Sequence, residues 1–198
     1  VEWTTIIFFA GLFIMIHGLE FMGLIDAIAD GISDTIKQAD ESNRLMVAVL
    51  LLLWVSAIAS AFIDNIPYTA TMVPVVIELA SNPELGLALG PLAWALALGA
   101  CLGGNGTIIG ASANVVAAGL AEEAGYDISF NRFFKTGFPI MILTVTLATA
   151  YCVVRYAIEW SNDVIPMAII AGMMLVSVSL TPMIYGPAPS SPPDFELE

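Results

Sequence analysis

The sequence predicts an all-α integral membrane protein, polytopic, with one re-entrant helical hairpin and one broken helix. Three observations predict it. Hydrophobic residues make up 59% of the 198 and charged residues only 12%, where soluble domains carry about 25% charged residues. Uncharged runs at Leu45–Ile63, Phe138–Val154 and Val164–Ile184 approach or reach the roughly 20 apolar residues that a bilayer crossing needs. Finally, two polar, helix-breaking lines interrupt apolar stretches: Ala61-Phe62-Ile63-Asp64-Asn65-Ile66-Pro67-Tyr68-Thr69-Ala70, and Gly103-Gly104-Asn105-Gly106-Thr107-Ile108-Ile109-Gly110-Ala111-Ser112-Ala113-Asn114. In lipid such breaks leave backbone groups unpaired, so they survive only inside protein or along a wet cavity. Paired interruptions of this kind point to the binding site of a secondary transporter.

The elements follow in order. Val1 to His17 reads as a first spanning helix, or the remaining part of one, with Trp3 where an interfacial anchor sits. The chain opens at Val1 without a basic n-region or a small-residue cleavage site, so a fragment that begins inside a larger protein is expected rather than a signal peptide. Leu24, Ile25, Ile28, Ile32 and Ile36 fall mostly at three- and four-residue spacing, with Asp26, Asp30 and Asp34 on other faces, which predicts an amphipathic helix at the membrane surface. Gln38 to Arg44 is a polar loop. Leu45 to Ile63 then runs to Asp64, and Tyr68 to Ala80 returns, too short to cross comfortably and containing Pro74. A helix, a polar tip and a short return helix make the re-entrant hairpin, closed by the turn residues Ser81-Asn82-Pro83-Glu84.

Leu85 to Leu102 is the next predicted helix. It breaks at Gly103-Gly104-Asn105-Gly106, resumes over Ala111 to Ala121 and ends near Gly125 as a glycine cap. Ile128 to Lys135 reads as a second interfacial helix and Gly137 to Tyr156 as a span. Residues 157–185 add a further transmembrane segment, interrupted by Pro166 and Pro182, and the proline-rich acidic tail 186–198 is expected to be disordered. Lys37, Arg44 and Arg155 fall on one side of the membrane and Arg132 and Lys135 on the other, a split too even to orient the chain.

Composition also excludes. A net charge of −13 leaves nothing to neutralise phosphates, so nucleic acid is not a partner. Cys101 and Cys152 lie in apolar runs without metal or redox spacing and read as small buried hydrophobes. His17 and Glu20 are too few for a metal site and mark the interface. The glycine line lacks the strand and lysine of a nucleotide-binding loop. No nucleophile–base pair or metal set is evident, so an enzyme is not expected.

The two breaks carry the chemistry. An ionisable group within a membrane segment costs about 2.5–3.5 kcal/mol on insertion scales, which makes Asp64 a functional candidate by default. Ser56 and Ser60 precede it at four-residue steps and form a polar stripe that arrives at the carboxylate. Asn65 and Thr69 add oxygen donors of the kind sodium takes. Alternatively, a carboxyl kept from water serves as a proton-coupling group, or Asp64 simply caps the return helix. In the second line, Gly103, Gly104 and Gly106 permit an unwound backbone around Asn105 and Thr107. Ser112 and Asn114 follow at the positive end of the resumed half-helix, a ready anion site.

These same lines, together with Val1-Glu2-Trp3 and Phe8-Phe9-Ala10-Gly11-Leu12-Phe13, resemble the C-terminal half of the ion transporter superfamily. The branch most resembled holds arsenite efflux pumps, NhaD-type sodium–proton antiporters and the melanosomal P protein, grouped with citrate-transporter-like domains. The resemblance covers residues 1–156, and 164–198 match no familiar pattern. It implies one repeat of an inverted-repeat transporter, in which each half supplies a hairpin and a broken helix to a midplane site. Asp64 and Asn65 would be hairpin-tip ligands, and Asn105, Thr107, Ser112 and Asn114 would come from the broken helix. Dicarboxylate members carry Ser-Asn-Thr at the tip; Asp64-Asn65-Ile66 here disfavours a dianion and leans toward sodium or proton coupling. The expected function is therefore an ion antiporter. An organic-anion, dicarboxylate or arsenite carrier, a channel-like anion conductance and a non-transporting scaffold are the alternatives. No cofactor is expected beyond sodium as the coupling ion. The expected partners are the lipid bilayer, the missing N-terminal repeat, a small ion or anion and, alternatively, a second copy in a homodimer.

Overall fold

The computed structural model describes residues 21–126 and 128–157, with isolated positions between 7 and 18. The predicted first span falls mostly outside the described residues, and the segment 157–185 and the tail 186–198 fall outside them almost entirely. Every described element is a helix: α1 (Leu24–Lys37), a 3-10 turn (Glu41–Asn43), α2 (Arg44–Phe62), α3 (Asn65–Ser81), α4 (Leu89–Gly103), α5 (Ser112–Glu123) and α6 (Phe130–Ala157). Glu41–Phe62 and Phe130–Tyr156 are long and apolar enough to cross a membrane; Leu89–Gly103 is apolar but shorter.

Boundaries depart from expectation at three places. The polar loop before α2 contains the 3-10 turn, so Arg44 already belongs to α2. The next helix begins at Leu89 rather than Leu85, because Gly86 takes a left-handed φ of 62° and Ala88 is extended. Residues 128–135 are not a separate interfacial helix: α6 runs unbroken from Phe130 through Pro139. A helix tolerates a proline if neighbouring groups or local adjustment re-satisfy the freed backbone, and nothing between Lys135 and Gly137 stops propagation. Phe130, Phe134 and Phe138, at four-residue steps along it, stack with ring centroids 6.1 and 4.8 Å apart. The end of α5 matches its prediction. Gly125 has φ 85°, its N–H reaches the Glu122 carbonyl at 2.9 Å and the Tyr126 N–H the Ala121 carbonyl at 2.8 Å, the paired bonds of a glycine-terminated helix.

α2 and α4 are the axis of the packing, with α3 against α4, α1 against α3, and α6 against both α2 and α4. Lipid supplies no hydrophobic force between apolar helices, so close packing and polar ties hold them. α4 approaches α2 through glycine. A Cβ on Gly99 would lie 2.5 Å from the Leu53 carbonyl oxygen, and one on Gly103 would lie 2.3 Å from that of Ala57. Three buried or half-buried bonds fasten the bundle. The Ser60 hydroxyl donates to the Ala100 carbonyl (2.7 Å), the Tyr68 hydroxyl to Ser56 Oγ (3.1 Å) and Trp54 Nε1 to Thr149 Oγ1 (3.0 Å).

α2 and α3 form a helical hairpin whose open ends meet. Arg44 Nη1 donates to the Glu84 carbonyl at 3.2 Å, and Lys37 Nζ pairs with the Glu84 carboxylate at 2.6 Å. The hydrogen bond from Lys37 and its charge pull the Glu84 carboxyl below the usual range, and the same bond lifts Lys37 above the usual lysine range. This tie is present at neutral pH. It is lost as pH falls through the lowered Glu84 value or rises through the raised Lys37 value.

Candidate functional site

At the far end of the hairpin α2 stops at Phe62, Ile63 is extended, and Asp64 starts α3. Asp64 Oδ1 accepts the Ile66 N–H at 3.0 Å, so the carboxylate is a helix N-cap. Its other oxygen, Oδ2, accepts a hydrogen bond from the Ser112 hydroxyl. Ser112 is the first residue of α5. One carboxylate therefore lies at the positive ends of two helices and joins the two interruptions.

Between α4 and α5 the chain forms a chain of tight turns. Asn105 N–H bonds the Leu102 carbonyl (3.2 Å), Gly106 N–H that of Gly103 (2.8 Å) and Gly110 N–H that of Thr107 (3.2 Å). Thr107 is fully buried, and its hydroxyl donates to the Ala61 carbonyl while accepting from the Gly110 N–H at 3.2 Å. Asn114 Nδ2 donates to the carbonyls of Gly104 (2.7 Å) and Thr107 (3.1 Å). Both amide protons are thereby engaged, which leaves the side-chain oxygen as its remaining ligand atom.

Of the residues singled out by sequence, the structure pairs Asp64 with Ser112 and Asn114 with Thr107, two contacts made by the first turn of α5. Asn65 is the half-buried first residue of α3. Asn105 is exposed, and its carbonyl would lie 2.5 Å from a Cβ on Gly137 of α6. Thr69 lines an apolar cavity of about 270 Å³ between α3 and α4, with Val73, Val76 and Leu96 among its walls. The glycines serve close approach rather than left-handed backbone. Positive φ among the described glycines falls at Gly23, Gly86 and Gly125, whereas a Cβ on Gly106 would meet Met141 Sδ at 2.7 Å and one on Gly104 the Gly110 carbonyl at 3.0 Å. The Ser56–Ser60 stripe is likewise spent on Tyr68 and Ala100 as helix ties. Sequence reasoning missed Tyr68, and it missed Gly110, which stands in the glycine line and whose Cβ would sit 2.9 Å from the Ser60 carbonyl.

The sequence profile of the citrate transporter family matches residues 1–99, half of the chain. The chain belongs to the citrate transporter family. Among relatives, the P protein of Homo sapiens is 51% identical over 162 residues, covering 82% of this chain and 19% of that protein. The P protein of Mus musculus is 48% identical over the same length. An uncharacterized transporter of Mycobacterium bovis is 43% identical over 156 residues, 79% of this chain and 35% of its own. The citrate transporter family chain described here thus spans about a fifth of the P proteins and about a third of the mycobacterial transporters. No solved structure matches it. The match and the two apolar helices make it an integral membrane protein of a transporter family.

Proposed function

We propose that this chain is the ion-handling repeat of a secondary transporter coupled to sodium or protons, with its site where the hairpin tip meets the broken helix. The observation that carries the reading is the Ser112–Asp64 bond, which joins two breaks that lipid would otherwise penalise. Asp64 contributes a carboxylate, and the same two breaks carry the Asn65 and Asn114 amide oxygens as neutral donors. This donor set suits a small cation or a proton.

The same contact weighs against an anionic substrate at this point. The positive end of α5 is where an anion would bind, and the Asp64 carboxylate already occupies it through Ser112. A carboxylate at a helix N-terminus is stabilised by about 0.3–1 kcal/mol, and an incoming dianion would have to displace it or tolerate its repulsion. The hairpin is re-entrant on this reading, and the opposing repeat in the full-length protein completes the site.

The test is Asp64→Asn in the complete parent protein, reconstituted in proteoliposomes with imposed sodium or pH gradients. The substitution keeps the capping oxygen but removes the charge. Flux is expected to lose its dependence on the driving gradient while the protein remains folded. Unchanged flux with an unchanged pH profile reduces Asp64 to a cap, and flux that never saturates and ignores the counter-gradient makes the protein a conductance instead.

A further inference from the structure

We propose that Thr107 is a positioning residue rather than a ligand: its hydroxyl ties the broken-helix loop to the end of α2 and so holds Ser112 against Asp64. The proposal rests on the reading of the Asp64–Ser112 junction as the ion site. A threonine hydroxyl carries one proton, and here it is committed to the Ala61 carbonyl while the oxygen accepts the Gly110 N–H. Ala61 lies in the last turn of α2, where carbonyls have lost their helical partners. Thr107 therefore satisfies an orphan acceptor of one element and a loop donor of the other in a single buried contact.

The geometry makes this contact the fixed point of the junction. From it the hairpin runs three residues to Asp64 and the loop five residues to Ser112. Gly110 keeps the two strands of chain in register, because any Cβ there would lie 2.9 Å from the Ser60 carbonyl and 3.0 Å from that of Ala61. Backbone cannot yield to such an intrusion as a flexible side chain does. Without the Thr107 hydroxyl, the Ala61 carbonyl and the Gly110 amide are left buried with their side-chain partner gone, and the loop loses what holds it to α2.

The experiment uses the full-length parent with spin labels at Phe62→Cys and Ile109→Cys, positions about half exposed on either side of the tie, and native cysteines replaced. The inter-label distance distribution and the KM for sodium or protons in gradient-driven flux are measured for Thr107→Ser, Thr107→Val, Thr107→Ala and Gly110→Ala. Thr107→Ser is expected to keep a narrow distribution and the parent KM. Thr107→Val should broaden the distribution and raise KM by about tenfold, with kcat changed less. Gly110→Ala, which leaves the hydroxyl in place, should broaden it by pushing the chains apart; Thr107→Ala, which removes the hydroxyl without adding a methyl, decides the matter if Thr107→Val does not fold. A parent-like distribution in Thr107→Val, whatever its KM, overturns the proposal, as does a broadened one in Thr107→Ser. Broadening in Thr107→Val together with flux indifferent to Asp64→Asn upholds the tie and removes the ion-site reading.

Discussion

Asp64 and Asn114 show how differently two polar residues of one junction announce themselves. Asp64 was legible in the sequence because a charge at the end of a charge-free helix has few inexpensive explanations, and both its capping bond and its contact with Ser112 are present. The division of labour within the Asn114 amide was not legible. It depends on two carbonyls, Gly104 and Thr107, that fold back toward it only once the loop is built. The Ser56–Ser60 stripe misled for the same reason, since its partners come from α3 and α4. Asn114→Asp follows from this geometry as a sharp test. It replaces a donor with an acceptor facing two carbonyl oxygens, so the detergent-solubilised parent should lose about 1–3 kcal/mol of stability, read as a fall in its thermal midpoint. A midpoint unchanged at neutral pH would show that the amide nitrogen does not hold the loop.

Among the elements, hydropathy located α2 and α6, and α2 ends within a residue of its predicted boundary. It could not see that α6 is one helix, because charge at Arg132 and Lys135 changes the environment of a helix without terminating it. The glycine line predicts an unwound backbone, and the turns between α4 and α5 provide one; what it does not reveal is that on α4 glycine is the absence of a side chain that α2 needs. Gly103→Ala is expected to destabilise the parent by about 1–3 kcal/mol, the usual cost of overpacking, because the added methyl would lie 2.3 Å from the Ala57 carbonyl. Gly119→Ala on α5, where nothing lies within 4 Å, should be neutral or stabilising by up to about 1 kcal/mol from helix propensity. Thermal unfolding of the two variants side by side separates packing from propensity; equal midpoints would contradict the close α2–α4 contact.

The whole molecule is a part of something longer in its relatives, covering 19% of the human P protein. Broken segments in lipid require protein around them, and α5 buries none of its residues within the described structure. Residues 1–198 expressed alone should therefore insert in membranes yet give no gradient-driven flux, and co-expression with the remainder of the parent should restore a measurable part of it. Proteoliposome flux with each preparation provides the comparison. A purified fragment that transports alone as a defined oligomer would overturn the proposed half-transporter in favour of a self-sufficient dimeric carrier. The single-helix patterns of this chain carried its class and its breaks, but α5, with no residue buried in the described structure, has no periodicity of its own to read.

The hairpin has an electrical consequence. α2 has 19 residues, about 28 Å at 1.5 Å per residue, close to the thickness of the hydrocarbon core. The Lys37–Arg44–Glu84 tie marks one end of that length and Asp64 the other. Upright, such a helix leaves the carboxylate near one face, outside most of the transmembrane voltage; leaning, it carries the carboxylate inward. Moving one charge through the full potential is worth about 2.3 kcal/mol per 100 mV. If Asp64 binds a cation as proposed, the voltage dependence of that binding measures how far α2 tilts, and hence how deep in the membrane the junction lies.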